Sequence, residues 1–199
     1  MPVKDFVTIK RKKIDRETIP ITEKTWKWCQ LPYPGHKNGC PNYGNNPLCP
    51  PNAKFFDKSD YNHFYLIHAE FDFKGYVADK RKDPARANAS DKQLGNIRHW
   101  QGSVKKLLKD AVKDVCKMNK RKDIYILGSG SGFSDNEMRK IQDDIYSMEA
   151  AGVYAFGLFK NNGISFEIKP TTKIVIACMI CSKKRLVLST RSSTILDFF

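Results

Sequence analysis

Three cysteines, Cys29, Cys40 and Cys49, fall in one irregular stretch of the chain, between residues 29 and 51. Thiolates are soft ligands for zinc or an iron–sulfur cluster, and a ligand set needs only convergence in space. The gaps of ten and eight residues between them are not those of a zinc finger, which shows tight CxxC pairs. The matrix around them supports ligation. "CPNYGNNPLCPP", residues 40 to 51, is rich in Pro, Gly and Asn, which break regular structure and reduce the entropy lost when a loop is ordered. Zinc and a four-iron cluster both want a fourth ligand, and His36 lies in the same loop. The candidate metal set is therefore Cys29, Cys40, Cys49 and His36. The competing reading makes the thiols small buried side chains in an unusual loop.

The other three cysteines read differently. Cys178 and Cys181 form a CxxC inside "TTKIVIACMIC", a β-branched run that reads as a buried strand. Three residues is an odd step in a period of two, so their side chains should point to opposite faces of a sheet. Cys116 falls on the apolar face of a helical pattern. All three are expected to be core thiols.

"GSGSGFSD", residues 128 to 135, is the second place where chemistry could occur. A strand, a glycine-rich turn and a helix start present free backbone amides, which suit a phosphate or carboxylate. Gly128, Gly130, Gly132 and Ser134 are the candidate cofactor-binding residues. No GK[ST] follows and GxGxxG is not matched, so a flexible connection is the competing reading. His63, His68 and His99 are isolated, and no Ser/His/Asp arrangement can be argued from spacing.

Lysine and arginine outnumber aspartate and glutamate by 35 to 21, a formal charge of +14. A field of that sign favours a polyanion such as RNA or DNA. Lys105, Lys109 and Lys113, four residues apart on a helix, and Arg81, in a charged segment, are the candidate nucleic-acid contacts. A solvated basic face is the plainer alternative. No segment has the roughly 20 apolar residues of a membrane span. The basic opening "MPVKDFVTIKRKKIDRE" lacks the apolar core of a secretory signal. A cytoplasmic protein with no membrane partner is expected, where cysteines stay reduced.

With 199 residues, of which 41% are hydrophobic, the chain suits one domain with one core. The pattern predicts strands near 63–73, 123–128 and 173–181, with "KRLVLST" as one more, and a short strand then a helical turn in "ETIPITEKTWKW". Helices are predicted near 97–118 and 135–149, the second started by a capping box from Ser134 to Glu137. Residues 79 to 93, "DKRKDPARANASDKQ", read as a charged loop, and "VYAFGLFKNNGISFEI" reads either as helix and turn or as two strands. The expected fold is α+β or α/β, with a mixed central sheet covered by helices.

"CPNYGNNPLCPP" and, about a hundred residues later, "SMEAAGV" resemble a family of uncharacterised prokaryotic proteins described as predicted metal-binding proteins. The resemblance covers Cys29 to about Cys181. It implies that Cys29, Cys40 and Cys49 match ligand positions and that Tyr43, Gly44, Pro50 and Pro51 shape their loop. Family members also tend to carry a second cysteine cluster after the central strand, where this chain has "GSGSGFSD". Three functional readings follow: a cytosolic zinc or iron–sulfur protein acting on or beside nucleic acid, an enzyme binding a nucleotide or phosphorylated substrate at the glycine turn, or a basic interaction module without metal.

Overall fold

The structure, a computed structural model, describes residues 1–32, 35–119 and 123–188. Its frame is a four-stranded sheet of β1 (Val7–Ile14), β2 (His63–Asp72), β3 (Ile124–Leu127) and β4 (Lys173–Ser182), in the order β1-β2-β4-β3. Every pairing is antiparallel. The expected mixed sheet is thus purely antiparallel and the fold is α+β. The helices are α1 (Lys24–Trp28), α2 (Phe73–Arg81), α3 (Asp91–Leu94), α4 (Gln101–Met118), α5 (Asn136–Arg139) and α6 (Ala155–Asn161).

Alternation in the two central strands divides the core in two. Tyr65, Ile67, Ala69 and Phe71 of β2, with Cys178 and Ile180 of β4, face Val104, Leu108, Val112 and Val115 of α4. Phe64 and Leu66, with Ala177, Met179 and Cys181, face a layer made by Phe56, residues 146–155 and α6. A strand buried on both sides is apolar almost throughout, which is why β2 and β4 were legible as sequence. Cys178 and Cys181 do lie on opposite faces.

Five readings are corrected. The basic opening is itself a strand: β1 pairs with β2 from Val7 opposite Phe71 to Ile14 opposite Phe64. Its exposed Lys10, Lys12 and Lys13 protect a sheet edge from pairing with other chains, and they mask its alternation. In "ETIPIT" no strand forms: Glu17 and Thr18 end a 3-10 turn, and Ile21 makes an isolated bridge to Val153.

The helix expected near 135–149 is a single turn, α5, capped by Asp135 rather than Ser134, with the Asp135 carboxylate accepting from the Met138 amide at 2.9 Å. Beyond it the chain runs along the free edge of β3. The Gln142 side chain accepts from the Ile126 amide at 2.7 Å and donates to the Ile126 carbonyl at 3.0 Å. The Gly128 amide donates to the Tyr146 carbonyl, and the Met148 amide to the Gly128 carbonyl. The sheet edge thus takes the hydrogen bonds that a helix would have kept for itself.

The charged segment 79–93 holds the end of α2 and most of α3 rather than a plain loop. "KRLVLST" forms no strand within residues 184–188, where Asn119 brackets Val187 through both backbone groups; its last two residues lie outside the described ones. "VYAFGLFKNNGISFEI" resolves into α6 and a turn.

Candidate metal centre

Helix α1 delivers Cys29. The indole nitrogen of Trp26 donates to the Ala150 carbonyl at 2.7 Å, and its ring packs on Phe55. Phe55 in turn lies so close to Gly152 that a Cβ there would stand 2.4 Å from the ring. These contacts dock α1 on the "SMEAAGV" segment and carry Cys29 toward Glu149.

Backbone contacts then bring Cys40 to Cys29. The Cys40 amide donates to the Cys29 carbonyl at 2.7 Å. Gly39 has φ +82°, and a Cβ on it would lie 2.6 Å from that same carbonyl oxygen, so only glycine permits this approach. Cys49 is held by a folded return: its amide donates to the Asn46 carbonyl, its carbonyl accepts from the Asn52 and Ala53 amides, and the Gly44 amide donates to the Pro50 carbonyl. Gly44 (φ +74°) and the double proline thus shape the loop around Cys49.

All three thiols are half-buried. Burial pushes the Cys29 thiol up from its usual range, followed by the fields of Cys40, Cys49 and Glu149. Burial and then Cys40 do the same to Cys49. The three sulfurs therefore lie within one another's fields. They are not drawn together around a point: among the described residues no group of three or more His, Cys, Asp or Glu side chains is close enough to hold a metal ion. The chemistry of the donor set nevertheless suits one, because three neighbouring thiols supply the soft ligands that a borderline or soft metal takes. His36 is exposed and lines a recess of about 370 Å³ with Gln30, Cys40 and Tyr43.

Glu149 was not read from the sequence as a site residue, although it sits in one of the two quoted motifs. Protein packed around its carboxyl disfavours the charged form and raises its pKa, with a Ser147 hydrogen bond and the Lys105 ammonium opposing. Glu149 as a whole residue is half-buried. No spacing rule reaches from Cys29 to residue 149, so only the docking of α1 reveals the neighbourhood.

The glycine turn is in the same region. Gly128 is structural: both its backbone groups are bonded to the 146–148 segment, and a Cβ would strike Phe133 at 2.7 Å. Gly130 has φ +70°. A Cβ at Gly130 or Gly132 would lie 3.7 or 3.8 Å from the Lys105 ammonium, which reaches across from α4. Ser134 faces a cleft of about 620 Å³ whose walls include Asn42, Asn46, Cys49, Arg139 and Ser147. The two motifs that sequence reasoning treated separately therefore share one cleft.

The four basic candidates have different surroundings. Lys109 is ion-paired with Asp135, and Lys113 with Asp110 at 3.2 Å. Arg81 donates to the carbonyls of Ala87 and Ala89 and pairs with Asp91, fastening the segment between α2 and α3. Lys105 is half-buried toward the glycine turn. No helix among the described residues is long and apolar enough to cross a membrane.

Residues 12–181 match the family described as "Predicted metal-binding protein (DUF2284)". The chain belongs to this family. No curated protein and no solved structure matches it. Where the family resemblance placed a second cysteine cluster, this DUF2284 chain has the glycine turn, and Ser134 at its end shares the cleft with Cys49.

Proposed function

We propose that this protein holds zinc or an iron–sulfur cluster on Cys29, Cys40 and Cys49, in the reducing cytoplasm. The observation that carries this reading is that the three half-buried thiols are neighbours within one another's fields, with the Cys40 amide bonded to the Cys29 carbonyl. That none of the six cysteines is in a disulfide fits a reducing compartment. Zinc there would brace the loop or act as a Lewis acid, and a cluster on three thiolates would carry electrons and leave one iron open. The chain's own part is to hold Cys49 at the wall of the cleft, where Asn42, Asn46, Ser134 and Arg139 can orient a polar molecule.

Metal analysis by mass spectrometry, with a visible spectrum, tests this. Near-stoichiometric zinc without colour, or iron with broad visible absorption, is expected, and Cys40→Ser or Cys49→Ser should remove most of it. Protein purified without oxygen that carries no metal and takes up none on reconstitution overturns the reading.

The charge of +14 supports a further reading, that the centre works on or beside nucleic acid. Binding to RNA or DNA should fall steeply with salt, and charge reversal at Lys109 and Lys113 should weaken it about equally for all sequences. Binding indifferent to salt overturns it.

A further inference from the structure

The lysines of α4 are not equivalent. Lys106 and Lys113 pair with Asp110, and Lys109 pairs with Asp135. Among the described residues Lys105 forms no ion pair, although it is half-buried and its cationic form is disfavoured, first by burial and then by Lys109. An ammonium stripped of part of its water needs an anion to replace it. Glu149 is the carboxyl whose field reaches it, but burial disfavours the charged form of that group.

What Lys105 faces is the open side of a turn. Its ammonium stands 3.7 and 3.8 Å from where the side chains of residues 130 and 132 would begin, were these not glycines. The amides of Ser129, Gly130 and Gly132 meet no acceptor among the described residues, whereas those of Gly128, Phe133 and Asp135 do. Successive unbonded amides around a positive-φ glycine form a concave anion receptor. The short helix α5 contributes nothing to this receptor, since Asp135 already occupies its N-terminus.

We propose that Lys105 and the Ser129–Gly132 turn bind the phosphate group of a small molecule beside the cysteine centre. A phosphate has enough acceptor oxygens to meet the ammonium and several amides together. A half-buried ammonium between a helix and a turn suits a terminal phosphate better than a continuous polynucleotide backbone. The proposal goes beyond the metal reading and does not depend on it.

Calorimetric titration of the purified protein with inorganic phosphate, and with adenosine monophosphate against adenosine, tests it. Saturable binding of both phosphates but not of adenosine is expected. Lys105→Met should weaken phosphate binding about tenfold or more, as expected for one lost charge-assisted contact, while Lys106→Met leaves it unchanged. Gly132→Asp keeps Lys105 but supplies an internal carboxylate, and should abolish binding with a circular-dichroism spectrum like wild type. No saturable phosphate binding, equal loss in the Lys105 and Lys106 variants, or binding of oligonucleotides alone overturns the proposal. Metal content measured on the same samples separates its failure from that of the metal centre: phosphate binding with no metal sinks only the latter.

Discussion

The six cysteines divide into two sets with opposite surroundings. Cys116, Cys178 and Cys181 are fully buried in the two faces of the core, where burial pushes the thiols of Cys178 and Cys181 well above their usual range. Cys29, Cys40 and Cys49 are half-exposed on a loop held by backbone hydrogen bonds and glycine conformation. In the first set the thiol is a small apolar shape. In the second its position is fixed by backbone while the sulfur keeps access to ligand or reagent. Burial and mode of support, not residue type, decide which cysteines can do chemistry.

The sharpest way to break this comparison is a thiol count. In metal-free protein, a thiol reagent should modify Cys29, Cys40 and Cys49 rapidly. The other three should react only through unfolding, slower by orders of magnitude because opening the core costs nearly the full stability. Peptide mapping of the modified protein checks this, and fast labelling at Cys178 would erase the distinction.

Cys178→Ser should be the more damaging serine substitution for the fold. It places a hydroxyl at a site with no exposure, and a buried polar group without a partner costs about 1–3 kcal/mol. Chemical denaturation should show that loss, while Cys49→Ser in metal-free protein should change stability much less.

Gly39→Ala probes the loop without touching a thiol. Left-handed backbone costs a side-chain-bearing residue about 1–2 kcal/mol, and the methyl would collide with the Cys29 carbonyl. Metal affinity should drop, and the unfolding midpoint of metal-free protein should fall by the few degrees that this strain implies. An unchanged affinity would separate the Cys29–Cys40 backbone link from the centre.

The smallest effect belongs to the core alone. His68 is buried on β2, with Glu70, Lys10 and Lys173 facing it, and its Nδ1 atom has no partner. Burial lowers its pKa, with Glu70 opposing and the two lysines assisting. The unfolded chain, whose histidine titrates near 6.5, then binds the proton more readily than the folded one. The stability from neutral His68 is present above that value and declines as pH falls below it. Melting temperature followed from pH 7.5 to 5 should show this slope, flattened in His68→Gln.

Much of the frame was legible because it obeys local periodicity. The apolar run of β4 and the i, i+3, i+4 pattern of α4 carry their burial in their own spacing. Segment 140–149 misled because Met138, Ile145 and Met148 are spaced as on a helix, yet Met138 and Ile145 enter one core face and Met148 the other. The edge strand β1 was hidden for the opposite reason, since its lysines answer to solvent.

For the site, residue types and loop composition alone singled out Cys29, Cys40, Cys49 and the glycine turn as the places to look. That Glu149 and Lys105 stand beside them, that Cys49 and Ser134 share a cleft, and that Lys105 leaves the solvent ridge for the turn were decided by tertiary packing. The physical reason is range. Propensity, turn chemistry and periodicity act over a few residues, whereas the field of Glu149 at Cys29 spans 120 positions of sequence and exists only because Trp26 docks α1 on the Ala150 carbonyl.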